Sequence, residues 1–169
     1  MTSPFDPSDI TTSSGSSAAP RASRDTYVNP ILDHDFPDPA VIHAPDGFYY
    51  AYATQTLRDG KWINIQVARS SDLIHWEDLG DALPQKPDWA RTTQDFWAPS
   101  VIFDGSTYFM YYSATPDVYH DHKRGHGLAI ATSESPTGPF VDIGKSLLPP
   151  ASPARSSEQR HAASDTCSS

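Results

Sequence analysis

From residue 27 onward the chain alternates short apolar runs with turn residues, and the spacing predicts strands, not helices. Residues 40–43 form the first run, and A-P-D-G at 44–47 follows as a hairpin turn, because Asp-Gly tolerates positive φ. Residues 48–54 are a second strand, rich in aromatics. Arg58-Asp59-Gly60 reads as a turn or loop tip. Residues 63–69 alternate apolar and polar at period two, as a half-buried strand does. Residues 70–73 turn, and 76–80 are a short edge strand. A long loop over 81–96 carries Pro84, Pro87 and Trp89, with Trp97 at its end.

Then the pattern restarts. A-P-S-V-I-F at 98–103 matches D-P-A-V-I-H at 38–43, and D-G-S-T-Y-F-M-Y-Y-S-A-T at 104–115 matches D-G-F-Y-Y-A-Y-A-T at 46–54. G-L-A-I-A-T-S-E-S at 127–135 matches I-Q-V-A-R-S-S-D at 65–72, and G-P-F-V-D-I-G at 138–144 matches I-H-W-E-D-L-G at 74–80. The prediction is an all-β chain holding two copies of a four-stranded antiparallel unit, the signature of β-propeller blades. Two blades leave two apolar faces open, so self-association through those faces is expected.

The ends differ from the repeats. Residues 1–26 are Ser/Thr/Ala/Pro-rich and read as a disordered leader. Residues 149–169 contain no large apolar residue, do not begin a third unit, and read as a disordered tail from an altered reading frame or an alternative exon. The organisation expected is therefore a leader (1–26), two blades (27–148) and a tail (149–169).

Composition narrows the function classes. The 169 residues, 37% hydrophobic, suit one domain. A net charge of −9 with scattered Lys and Arg excludes a nucleic-acid surface. The single Cys, Cys167, permits neither an internal disulfide nor a cysteine metal site. No apolar run is long enough to span a membrane. The start lacks the basic and apolar regions of a secretory signal, so a cytoplasmic location is the default expectation. The loop P-D-V-Y-H-D-H-K-R-G-H at 116–126 is rich in His and Asp. Its spacing fits no zinc pattern, so a solvated loop at a cleft rim is expected, with no metal and no cofactor.

The candidate chemistry begins at Pro37-Asp38-Pro39. Each proline fixes its own φ and pushes the residue before it toward extended backbone. Asp38 is thereby held on a stiff turn just ahead of a strand. It reads either as an Asx-type turn or as a carboxylate aimed at a ligand.

The ordered set N-P-I-L, P-D-P-A-V-I, D-G-F-Y-Y-A-Y, S-S-D-L-I-H-W, F-W-A-P-S-V and A-T-S-E-S-P-T-G-P-F resembles the N-terminal part of glycoside hydrolase family 43 over residues 28–148. The family comprises arabinanases, arabinofuranosidases and β-xylosidases on a five-bladed propeller. The resemblance implies a partial propeller of about two blades and an oligo- or polysaccharide substrate rich in arabinose or xylose. It also implies inverting hydrolysis by a general base and a general acid on opposite faces of the sugar. Asp38 falls where the family places its base. Phe36 and Trp97, with Phe96 beside it, fall where relatives place the aromatic walls of sugar subsites, although Trp97 equally suits packing between blades. The family's acid and its pKa-adjusting Asp lie in later blades. Glu77 and Glu134 are expected at outer strands, Glu158 lies in the tail, Asp35 is beside the base, and Asp95 is the best remaining carboxylate. None is assigned as the acid, which leaves a catalytically inactive fragment or a weak carbohydrate-binding module as the alternative.

Overall fold

The computed structural model describes residues 27–119 and 125–148. The expected leader, the tail and part of the His-rich loop lie outside these residues. Two four-stranded antiparallel sheets dominate. The first runs in the order β1 (Ala40–His43), β2 (Tyr49–Ala53), β5 (Gln66–Ser70), β6 (Trp76–Asp81). The second is a meander of β7 (Phe96–Phe103), β8 (Tyr108–Ala114), β9 (Gly127–Ser133) and β10 (Val141–Leu148). A small hairpin, β3 (Thr56–Arg58) with β4 (Lys61–Ile63), projects from the first sheet.

Two features differ from the expected ones, each for a visible reason. The turn expected at Arg58-Asp59-Gly60 is the tip of a true hairpin. Asp59 (φ 49°) and Gly60 (φ 75°) both adopt the positive φ that a two-residue turn requires. The strand expected from residue 63 starts at Gln66 instead. The backbone N–H groups of Asn64 and Ile65 donate to the Asp81 carboxylate (2.9 and 3.2 Å), which takes them out of the ladder. The last strand starts at Val141, just after Phe140, whose N–H donates to Ala82 O (2.7 Å) across the seam between the sheets.

One core serves both sheets. Tyr52, Ile65, Val67 and Leu83 of the first repeat and its following loop pack with Phe96, Met110, Tyr112 and Phe140 of the second. Each large apolar side chain so buried contributes about 1.5–3 kcal/mol. The two tyrosines satisfy their hydroxyls inside this core. Tyr52 Oη donates to Pro136 O and Tyr112 Oη to Asp142 Oδ2, each at 2.5 Å. Burial pushes both phenols well above the usual tyrosine range, with the Asp142 bond adding to it for Tyr112, so both stay neutral. Alternation along the second sheet leaves Ile102, Phe109, Tyr111 and Ile130 on the face turned away from the first, where Ile102 is 51% exposed.

The turns carry an acid-sensitive set of carboxylates. Asp72 accepts from the His75 ring (2.7 Å), from two backbone N–H groups and from Ser70, and these hold it well below the usual carboxylate range. Bonds from Thr107 and Ser106 lower Asp104. Burial pushes Asp117 up, but bonds from Thr92, Thr93 and Arg91 outweigh it and the net shift is down. A carboxyl group depressed in the folded state adds stability above its unfolded value, about 3.9, and loses it as pH falls through the folded value. Asp81 has the opposite sign, because burial raises it against three N–H donors. Thermal midpoints are therefore expected to fall below about pH 4, and Asp72→Asn is expected to reduce the drop. An undiminished drop in that variant would count against Asp72 as a contributor.

Candidate active site

The turn before β1 is bent in a way the flanking prolines alone do not dictate. Asp38 has φ 52°, in the left-handed region, where an extended backbone was expected. Ala98, its counterpart in the second repeat, has φ 48°. A left-handed non-glycine residue costs on the order of 1–3 kcal/mol, and it occurs here at matching positions of both repeats. The bend thus belongs to the repeat, while the carboxylate belongs to the first copy alone.

Tertiary contacts hold this bend. Thr54 N–H donates to Pro37 O (3.1 Å), and Thr54 Oγ1 donates to Asp38 Oδ2 (2.8 Å). The same hydroxyl accepts from Ala98 N–H (2.9 Å), so one buried threonine ties the carboxylate to the first strand of the second sheet. Its neighbour Gln55 completes the seam. Gln55 N–H donates to Phe96 O, and Gln55 Oε1 accepts from Phe96 N–H, both at 3.0 Å. The bond from Asp38 runs to a residue 16 positions away, which favours the aimed carboxylate over a local Asx turn. Thr54→Val is expected to cost about 1–2 kcal/mol, because Ala98 N–H loses its acceptor. Urea unfolding measures it, and a stability unchanged by the substitution would show the link to be idle.

The expected aromatic residues part company. Trp97 is 41% exposed, its ring 5.5 Å from His126 and tilted 39° to it, so it presents a face to solvent instead of filling the seam. Phe96 is a correction. It is fully buried, stacked on Tyr112 at 6.1 Å, and cannot wall a sugar subsite. Strand alternation requires this, since neighbours on β7 face opposite ways. Phe36 is half-buried, edge-on to His34 at 5.7 Å, and lines an apolar groove of about 360 Å³ with Ile31, Leu32, Pro39, Val41 and Trp76.

The remaining carboxylates are mostly committed elsewhere. Glu77 pairs with Arg69 (2.5 Å) on β6, the last strand of its sheet, and Glu134 lies exposed in the turn after β9. Asp35 accepts from Thr56 Oγ1 (2.9 Å) on the same strap as Asp38. Asp95 is half-buried and already engaged. No group of three or more His, Cys, Asp or Glu residues suited to a metal ion occurs among the described residues. Sequence reasoning missed Thr54 and Thr115, and placed His126 only within a solvated loop at a cleft rim. The two threonines were visible as the shared last residue of A-Y-A-T and Y-S-A-T, but nothing local marked their hydroxyls as buried donors.

Paired four-stranded antiparallel units are the building blocks of β-propellers. The model of glycosyl hydrolases family 43 matches residues 27–155, and the chain belongs to that family. The match runs past the boundary expected at residue 148. The chain is 31% identical over 121 residues to an extracellular endo-α-(1→5)-L-arabinanase of Thermotoga petrophila, covering 60% of this chain and 23% of that protein. It is 28% identical over 155 residues to an arabinoxylan arabinofuranohydrolase of Bacillus subtilis, covering 76% and 28%. Among solved structures it resembles a thermostable family-43 glycoside hydrolase (32% identity, TM-score 0.56, covering 73% and 38%). It also resembles an endo-arabinase of Bacteroides thetaiotaomicron (27% identity, TM-score 0.57, covering 75% and 41%). The chain spans well under half the length of each.

Proposed function

We propose that this chain carries the general-base side of a glycoside hydrolase site acting on arabinose- or xylose-containing polysaccharide, within the first two blades of a five-bladed propeller. The observation that carries the reading is the Asp38 carboxylate, exposed yet fixed through Thr54 beside the strand bearing Trp97. Thr54 engages Oδ2, which leaves Oδ1 to accept a proton from water. That water attacks the anomeric carbon while the bond to the leaving oxygen breaks. The leaving oxygen takes its proton from an acid about 6.5–9.5 Å from the base on the opposite face of the sugar. The Trp97 ring offers the apolar face of a pentose a flat partner.

Because no carboxyl group among the described residues is placed as that acid, a second reading stands beside the first: a sugar-binding chain without turnover. Incubating the 169-residue chain with arabino- and xylo-oligosaccharides, and following the products by proton NMR, separates the two. The first reading expects release of sugar with inverted anomeric configuration. Retention of configuration would overturn the mechanism, and binding without release would favour the second reading.

A further inference from the structure

The two repeats share a device that ends differently in each. Thr54 and Thr115 occupy equivalent places after the second strand of their units, and both are buried, at 5% and 1% exposure. In the first repeat the hydroxyl holds the Asp38 carboxylate at 2.8 Å. In the second, the counterpart of Asp38 is Ala98, which has no polar side chain to offer. There the Thr115 hydroxyl instead lies 3.0 Å from His126 Nδ1. The threonine that orients a carboxylate in one unit orients an imidazole in the next.

The imidazole lies against the strand that Thr54 ties to Asp38. Its ring leans on Trp97, and Trp97 adjoins Ala98, whose N–H donates to Thr54 Oγ1. Thr54 thus ties the carboxylate to the strand that carries the indole, and the imidazole held by Thr115 lies against that indole. His126 is exposed, as Trp97 is, so their contact is not a core pair. With Nδ1 engaged, the ring cannot turn freely, and Nε2 makes no bond among the described residues. A sugar hydroxyl both donates and accepts, so Nε2 suits it in either tautomer.

We propose that His126 is a substrate-binding residue of this site, its Nε2 bonding a hydroxyl of a pentose ring that stacks on Trp97. The assignment rests on the glycoside hydrolase reading above and names a polar contact within it. Thr115 is then its positioning residue. Holding the ring in advance removes part of the ordering cost of binding.

Titration calorimetry of the full chain with arabinotriose and xylotriose tests this, with thermal unfolding run on every variant. His126→Ala is expected to weaken binding of the preferred trisaccharide roughly three- to tenfold, the worth of one hydrogen bond, with an unchanged melting midpoint. His126→Gln is expected to recover part of the loss by restoring a hydrogen-bonding end. Thr115→Val is expected to give a smaller loss than His126→Ala. Equal binding by His126→Ala and the unaltered chain would overturn the assignment and leave the glycosidase reading standing. Failure of the unaltered chain to bind either trisaccharide would remove both together.

Discussion

Replacing Asp38 with asparagine is expected to lower turnover of arabino- or xylo-oligosaccharides by about 10²–10⁴-fold, the usual worth of a positioned general base. The substitution keeps the shape and the acceptor oxygen that Thr54 Oγ1 engages at 2.8 Å. It removes the negative charge and the oxygen able to receive a proton. Asp38 is exposed, so little packing is lost, and Asn adopts positive φ as readily as Asp. The stability change is accordingly expected to stay within about 0.5 kcal/mol. A large fall in rate with an unchanged melting midpoint separates a catalytic role from a structural one. Turnover equal to that of the unaltered chain would remove Asp38 as the base. The Trp97 and Thr54 contacts would then need another explanation.

Gly138→Ala is expected to be the most damaging small substitution at the seam, costing about 2–5 kcal/mol. Two effects add. Gly138 has φ 82°, which L side chains rarely adopt, and an added Cβ would lie 2.5 Å from Ala82 O and 2.9 Å from Phe140 N. Both are backbone atoms, so neither can swing aside as a side chain would. They are also the two partners of the bond that joins the loop after β6 to the segment entering β10. Separating them would disturb Phe140, which is 1% exposed and set edge-on to Tyr52. Domains are stable by only about 5–15 kcal/mol, so such a loss would leave a substantial unfolded fraction under mild denaturant. Gly47 and Gly105 provide the control. They share positive φ but have no atom within 4 Å of an added Cβ. Alanine there is expected to cost only the backbone strain, on the order of 1–2 kcal/mol. Urea unfolding of the three variants decides it, and equal losses would show that the close approach at Ala82 contributes nothing.

The amino-acid pattern by itself determined the strand count of each main sheet, its antiparallel arrangement and the duplication. These depend on local alternation and on Asp-Gly turns, which act over a few residues. Pro-Asp-Pro marked Asp38 from within the chain, while Trp97 came forward only through the family resemblance. Family membership followed from the same motifs in order. The hairpin β3–β4 and the late start of β5 were decided otherwise. The Asp81 carboxylate takes the Asn64 and Ile65 N–H groups out of the ladder, and no neighbouring residue announces that. Burial separated Phe96 from Trp97, two adjacent aromatics that composition treats alike. The left-handed bend at Asp38 and its tie through Thr54 to Ala98 also needed the folded chain, since a hydrogen bond across the seam exists only once both sheets have packed.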